Sequence, residues 1–405
     1  METLAPFARP AYVMLKPVGA RCNLACNYCY YLEKEKLYAD GRDQLLPFDL
    51  LERFTRDYIA LQTQSDVLFT WHGGEPLLRP IAFYQRALAF QRKYAGDHRI
   101  DNALQTNGTL LTDDWARFFR DNNFLIGVSI DGTEQQHDRY RHTRGGGPTH
   151  KQVMRGIEIL ERHGVQWNAL ATVNHFNADE PLAFYDFFRS IGCHFLQFTP
   201  VVERLETQTD GRYLASPLAG ASARLAPFSV SPQQWGRFLI GVFDRWIKTD
   251  VGSTFVQLFD ATLAGWCGVP PGVCTLAETC GAAAAMEWNG DVFVCDHYVF
   301  PEYRLGNLRT TPLPEMLYGE AATRFGQEKK TTLTQQCREC QWLMACHGEC
   351  PRLRFATDRY GNAGHHYLCA GYEAYFAHVA PYMDAMKSLL QEGRPPAEVM
   401  QQTIG

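Results

Sequence analysis

Thirteen cysteines in two distant groups constrain this chain more than any other feature. Cys22, Cys26 and Cys29 stand together near the start, and Cys193 is alone in the long middle. Cys267, Cys274, Cys280 and Cys295 then lead into Cys337, Cys340, Cys346, Cys350 and Cys369. A chain of 405 residues that is 46% hydrophobic has the apolar material for an ordinary core, so it does not need covalent staples to fold. An odd count also pairs incompletely. Met1–Pro10 holds Pro6 and Pro10 and no apolar run of signal-peptide length, so no secretory start is expected. No stretch reaches the ~20 apolar residues that span a bilayer. The expectation is a cytoplasmic protein that does not engage a membrane, where clustered thiols bind metal or do chemistry more often than they pair. A net charge of −5 argues against a nucleic-acid partner, which usually meets a basic footprint.

Between the two groups the sequence alternates short β-branched and aromatic runs with amphipathic segments. Strands are expected at Tyr12–Leu15, Val67–Trp71, Ala103–Thr106, Leu125–Ile130, Trp167–Val173 and Phe195–Thr199. Helices are expected at Phe48–Leu61, Ile81–Tyr94, Asp113–Asp121, Lys151–Arg162 and Pro181–Ser190, from apolar residues recurring at helical period. Six such βα units imply an α/β fold with a parallel sheet, as an open or partial barrel rather than the complete eight-stranded one. Sites in parallel sheets gather at the C-terminal strand ends. Cys22–Cys29, Gly73–Glu75, Asn107, Ser129 and Asp131 all follow or end a strand. Val201–Pro232 reads as loop, with Gly211, Pro217 and Gly220, and Gln233–Lys248 as one helix. From about Cys267, cysteines, short strands and turns dominate, before a closing helix over Tyr372–Leu390. The expected organisation is a partial barrel over 1–205, a connection over 206–265, a cysteine-rich domain over 266–375, and a helix and tail over 376–405.

Cys22-x3-Cys26-x2-Cys29 can present three thiolates to one metal centre, and iron–sulfur clusters prefer thiolate ligands. Zinc completed elsewhere is the competing reading. The stretch Cys22-Asn-Leu-Ala-Cys26-Asn-Tyr28-Cys29 resembles the signature loop of radical S-adenosylmethionine (SAM) enzymes. His72-Gly73-Gly74-Glu75-Pro76 resembles the same superfamily's GGEP motif. The resemblance implies a SAM-binding 4Fe-4S cluster on Cys22, Cys26 and Cys29. It implies SAM contacts from Tyr28, Gly74, Ser129, Arg141 and Leu196. From residue type alone, Ser129 is a strand-end polar residue and Leu196 a core leucine.

The array Cys337-x2-Cys340-x5-Cys346-x3-Cys350 is the sharper signal. Zinc again competes, since C-x2-C pairs build structural zinc sites. With Cys274-x5-Cys280-x14-Cys295 before it and Cys369 after it, the array resembles the SPASM extension of radical SAM enzymes, a small domain of short β-hairpins with a C-terminal helix. That resemblance implies two auxiliary 4Fe-4S clusters, three clusters in all. Cys274, Cys280, Cys295 and Cys350 would hold the first, and Cys337, Cys340, Cys346 and Cys369 the second. Cys193 and Cys267 remain, read as small buried hydrophobes.

Within this class the chain resembles the anaerobic sulfatase-maturating enzymes. The resemblance is carried by Asn289-Gly-Asp-Val-Phe-Val-Cys295-Asp296-His-Tyr298, by Tyr303-Arg-Leu-Gly-Asn307 and by Cys29-Tyr-Tyr31. It implies oxidation of a cysteine or serine, within a CxPxR or SxPxR segment of an unfolded or nascent sulfatase, to Cα-formylglycine. A 5′-deoxyadenosyl radical would take hydrogen from the target Cβ, and Asp296 would accept the thiol or hydroxyl proton. Tyr31 and His72 would shape the peptide pocket, and a flavodoxin or ferredoxin would supply electrons. Two other readings stand beside this one. The first is a SPASM peptide maturase forming thioether or carbon–carbon crosslinks. The second is a non-enzymatic metal carrier or structural zinc protein.

Overall fold

A computed structural model of the chain describes residues 10–38, 44–208, 211–217, 219, 223–281 and 283–402. The stretch 1–9, read above for a secretory start, therefore lies outside the described residues, as does Gly220. The six expected strands are present: β1 Val13–Leu15, β2 Asp66–Trp71, β3 Arg99–Thr106, β4 Phe124–Ser129, β5 Trp167–Val173 and β6 Phe195–Pro200. The helices between them span Phe48–Ala60, Ile81–Tyr94, Asp113–Asp121, His150–Arg162 and Pro181–Ser190. Short strands follow: β7 Arg204–Gln208, β8 Gly211–Leu214, β9 Arg224–Leu225, β10 Phe255–Val256, β11 Ala284–Met286, β12 Asp291–Phe293 and β13 Arg304–Asn307.

The chain divides into two compact units. One holds the residues up to Ser129 with Tyr140–Trp167 and Gly281–Gly326, and the other holds Ile130–Arg139, Asn168–Cys280 and the residues from Gln327 on. In the first unit β1 to β4 lie side by side in parallel, with Leu15 opposite Trp71 and Trp71 opposite Leu104. Strand β11 adds in parallel to the other edge of β1, with Leu15 opposite Met286. Strands β12 and β13 continue from it antiparallel. This register matters for chemistry. Lys16 and Glu287 are the residues just past β1 and β11, so the pairing carries both to the same C-terminal edge, and the Lys16 amide donates to Met286 O at 3.0 Å. The core below is aromatic, with Phe54, Tyr58, Phe69, Trp71, Tyr84 and Phe119 fully buried. The one polar atom of Trp71 is satisfied, because Nε1 donates to Asn102 Oδ1 at 2.9 Å.

In the second unit β5, β6 and β10 run parallel, Ala169 opposite Leu196 and Leu196 opposite Val256. The expectation of a loop over Val201–Pro232 is corrected here. Strands β7 and β8 form an antiparallel hairpin that contains Gly211, and β9 pairs with β7. These strands are short and mostly polar, so they carry little of the period-two signal that marks a strand in sequence. The helix expected over Gln233–Lys248 spans Pro232–Thr249 and begins with a capping box, Ser231 with Gln234. It packs on the closing helix, Cys369–Gln391, through a close contact at two glycines. A Cβ on Gly371 would stand 2.2 Å from Pro232 O, and one on Gly236 3.0 Å from the Gly371 Cα. The helix Gln257–Trp266 was not expected; its sequence is too evenly apolar to show one face. No helix among the described residues is long and apolar enough to cross a membrane.

The Gly236–Gly371 crossing has a direct test. Gly371→Ala puts a methyl against a backbone oxygen that cannot swing aside. It should cost about 1–3 kcal/mol and lower the thermal midpoint followed by circular dichroism. The same change at Gly393, whose surroundings are open but whose φ is +71°, should cost only the backbone strain of a left-handed alanine, about 1 kcal/mol.

Candidate active site

The loop Cys22–Cys29 leaves β1 and is clasped by the segment 140–143. Leu24 forms an antiparallel bridge with Thr143. The amides of Ala25 and Asn27 donate to His142 O and Tyr140 O, each at 2.9 Å. That segment carries Arg141, whose guanidinium lies 5.6 Å from the centre of the Tyr28 ring. From the other side the loop rests on the glycine pair after β2. Gly73 has φ +112°, and a Cβ on Gly74 would stand 1.9 Å from Arg21 O. The Gly74 and Glu75 amides donate to Gly19 O and Arg21 O at 2.9 and 2.8 Å. In this chain, therefore, the glycines allow β2 to close onto the backbone of the cysteine loop itself.

Glu75 is fully buried. It accepts from the amides of Leu77 and Asn107 and from Thr106 Oγ1, which ties the ends of β2 and β3 together. Burial pushes its carboxyl up to about 7. Asn107 Nδ2 donates to Asn23 Oδ1 at 2.8 Å and lies 3.6 Å from Cys22 Sγ. Ser129, ending β4, accepts from Gln105 Nε2 at 2.9 Å. Burial is the main reason the Cys22 and Cys29 thiols are pushed up to about 12; the neighbouring thiols add to it. Three thiols near enough to oppose one another's ionisation suit a cationic centre that displaces their protons. The loop therefore fits a cluster held by Cys22, Cys26 and Cys29.

Beside it, Asp296 sits at the centre of a buried polar network. The β12–β13 connection places it on a short helical turn, Asp296–Tyr298. Lys16 Nζ lies 2.5 Å from Oδ1 and 2.9 Å from Glu287 Oε1, with no exposure at all on the lysine. Tyr30 and Tyr31 donate their hydroxyls to Oδ2 at 2.5 and 2.6 Å. Lys34 Nζ donates to the Asp296 carbonyl and lies 4.4 Å over the Tyr30 ring. The Tyr31 hydroxyl also lies 3.1 Å from His72 Nδ1. Burial alone would raise the Asp296 carboxyl, but the Lys16 and Lys34 charges override it and hold the group well below its usual range. Burial and the same carboxylate push both tyrosines well up, so they remain donors. Burial pushes the His72 imidazole down.

A cysteine-rich loop thus stands next to an ionised, buried carboxylate. A family model described as the radical SAM superfamily matches residues 17–188, and one described as an iron-sulfur cluster-binding domain, SPASM, matches 279–341. The chain is 56% identical over 398 residues, 98% of its length and 96% of the relative's, to the serine-type anaerobic sulfatase-maturating enzyme of Bacteroides thetaiotaomicron. It is 29% identical, over 90% of its length and 94% of the relative's, to the cysteine-type enzyme of Clostridium novyi. A solved structure of native anSMEcpe with bound AdoMet and Kp18Cys peptide superposes with a TM-score of 0.81 at 26% identity, covering 94% of this chain and 99% of that one.

The chain belongs to the anaerobic sulfatase-maturating enzymes. The family read from the motifs is thus borne out, as is the radical SAM α/β fold with its iron–sulfur extension. As a member of this family the chain is a radical SAM enzyme that uses SAM and iron–sulfur clusters.

In the second unit a cavity of about 200 Å³ is lined by Cys337, Cys340, Cys346 and Cys369 together. Among the described residues no three His, Cys, Asp or Glu groups converge on a single-ion position. The cavity therefore has the thiols and the room for a multi-atom cluster on these four residues. Between Cys346 and Cys350, His347, Gly348 and Glu349 have φ of 48°, 70° and 51°, a left-handed run that is costly for the two non-glycine residues. Arg354 braces it, donating to the carbonyls of His347, Gly348 and Glu349. Glu349 is held in turn by His366 and Tyr372, each at 3.1 Å. Lys329 fixes the Cys274 end by donating to Cys274 O and Thr275 O, both at 2.7 Å. Leu196 is buried on β6 in this unit. Cys193 is buried with its thiol 3.4 Å from Phe195 O, whereas Cys267 is only half-buried.

The structure thus brings Asp296, Tyr31 and His72 into one network, sets Tyr28 beside Arg141, and gathers one cysteine quartet around one cavity. It also shows four members that the motifs did not single out: Lys16, Tyr30, Lys34 and Glu287. Lys16 carried a readable sign, since a lysine directly after an apolar strand in a parallel sheet lies at the edge where sites form.

Gly74→Ala tests the loop's seating. With no room for a methyl against Arg21 O, the variant should reconstitute with about four fewer irons per chain, read by iron and sulfide analysis. A full wild-type complement would show that the loop tolerates displacement.

Proposed function

We propose that this chain oxidises a serine, in an SxPxR segment of a sulfatase polypeptide, to Cα-formylglycine, and that it also accepts cysteine in CxPxR. The observation that carries this reading is the buried Asp296 carboxylate, kept ionised by Lys16 and Lys34 and met by two tyrosine hydroxyls. The much higher identity to a serine-type than to a cysteine-type relative supports serine as the target.

Cys22, Cys26 and Cys29 would hold the SAM-binding cluster. Cys274, Cys280, Cys295 and Cys350 would hold one auxiliary cluster, and Cys337, Cys340, Cys346 and Cys369 the other. Tyr28, Gly74, Ser129, Arg141 and Leu196 would hold SAM. When bound, the first cluster and SAM supply the 5′-deoxyadenosyl radical that takes a hydrogen atom from the target Cβ, and the auxiliary clusters supply an outlet for the second electron. The chain's own part is the proton. Converting CH₂OH to CHO removes a hydrogen atom, a proton and an electron, and Asp296 takes the proton from the hydroxyl. Loss of the electron is easier once that oxygen is deprotonated, and an ionised carboxylate within hydrogen-bond reach is the base that step needs. Tyr30 and Tyr31 orient Oδ2, while Tyr31 and His72 border the space for the peptide. A flavodoxin or ferredoxin would deliver electrons, and the reaction would run in the cytoplasm on the sulfatase before it folds.

Anaerobic reconstitution, then incubation with SAM, reductant and each peptide, tests the substrate by mass spectrometry. Serine should lose two hydrogens, and cysteine should also exchange sulfur for oxygen. A crosslinked peptide instead would make the chain a different kind of maturase. For the base, Asp296→Asn should cut formylglycine about 10²–10⁴-fold while 5′-deoxyadenosine is still made. Wild-type formylglycine from this variant would remove Asp296 from the mechanism.

A further inference from the structure

We propose that Lys16 is a positioning residue for this reaction: by bridging Glu287 and Asp296 it fixes the carboxylate whose other oxygen meets Tyr30 and Tyr31. The proposal rests on the assignment of Asp296 as proton acceptor. The contacts set the two oxygens of that carboxylate apart. Oδ1 is occupied by Lys16, and Oδ2 receives both tyrosine hydroxyls. The terminal torsion of an aspartate is soft and roughly two-fold. Without the hold on Oδ1 the carboxylate can rotate part-way about that torsion, and the oxygen facing the tyrosines loses its fixed place.

Lys16 is itself immobilised along its whole length. Its amide is bonded to Met286 O beside β11. Its Cβ and Cγ lie against Gly73, where an added methyl would come within 3.2 and 3.3 Å of them. Its Nζ lies 4.9 Å over the Tyr31 ring. Glu287, 2% exposed, anchors the ammonium from the other side at 2.9 Å. A buried ammonium needs such partners, and the β1–β11 register supplies one of them. Lys34 approaches Asp296 differently, its Nζ engaging the main-chain carbonyl and the face of Tyr30. The ion pairs and ring contact of Lys16 involve no cysteine thiol and none of the SAM-binding residues proposed above, so its loss should separate hydrogen abstraction from product formation.

The test is the ratio of 5′-deoxyadenosine to formylglycine made by the reconstituted enzyme with an SxPxR peptide. In Lys16→Met, 5′-deoxyadenosine should stay within about threefold of wild type while formylglycine falls about 10²-fold, the scale expected when a reacting group is misplaced. Iron and sulfide content and the thermal midpoint, measured without peptide, should stay close to wild type. Removing the lysine leaves two buried carboxylates facing each other, which can prevent folding. Glu287→Gln is therefore the second variant, since it keeps shape and Lys16 but weakens the anchor. Its ratio should rise about three- to tenfold. A wild-type ratio in Glu287→Gln and in any folded Lys16→Met, or a parallel fall of both products, overturns the proposal. Asp296→Asn run alongside separates the two levels of the account. If it loses formylglycine while the Lys16 and Glu287 variants stay coupled, only the positioning role falls. If it keeps formylglycine, both fall.

Discussion

A single buried ammonium between two carboxylates organises the first unit's chemistry. Lys16 is wholly enclosed and touches Glu287 and Asp296. Charges buried this way are tolerated only when paired and hydrogen-bonded. Here the pairing comes from backbone register, because β11 lies parallel to β1 and the residues following the two strands face each other. Strand β12 runs back along β11, and the connection after it sets Asp296 2.5 Å from the Lys16 ammonium. The carboxylate proposed as the base is thus held by Lys16, Tyr30, Tyr31 and Lys34 rather than by a strand of the sheet. The cysteine loop beyond β1 is held by main-chain bonds to Gly74, Glu75 and the 140–143 segment.

Much of this was legible in the sequence because the strongest signals are covalent or periodic. The six βα units were readable from apolar spacing, and several bounds, such as Ile81–Tyr94 and Trp167–Val173, coincide with the folded elements. The cysteine spacings and the glycine pair pointed to the cluster loop. What the sequence did not show depends on contacts between distant segments. Nothing local to Lys16 reveals Glu287, 271 positions away, and Tyr30 reads like any aromatic next to a cysteine. The β7–β9 strands and the helix Gln257–Trp266 were missed because one set is too polar and the other too uniformly apolar to show a period.

The glycines show how motif and structure inform each other. Gly74 was expected to serve SAM. Its clearest structural role is to let β2 close on the backbone of Arg21, where any side chain would collide. The two roles are compatible, since a strand seated that tightly holds both the cysteine loop and the surface next to it. In the second unit, the left-handed run His347–Glu349 is an equally local device: Arg354 and Glu349 use their hydrogen bonds to hold a bend between Cys346 and Cys350, which the ligand sets proposed above assign to different clusters.

In the proposed reaction hydrogen leaves the target Cβ as an atom while Asp296 removes the hydroxyl proton. An SxPxR peptide deuterated at the serine Cβ tests it most directly, with 5′-deoxyadenosine and peptide analysed together after anaerobic turnover. Deuterium is expected in 5′-deoxyadenosine in proportion to formylglycine formed, with the aldehyde keeping the second deuterium. Unlabelled 5′-deoxyadenosine alongside formylglycine, or label transfer with a crosslinked peptide as product, would contradict it.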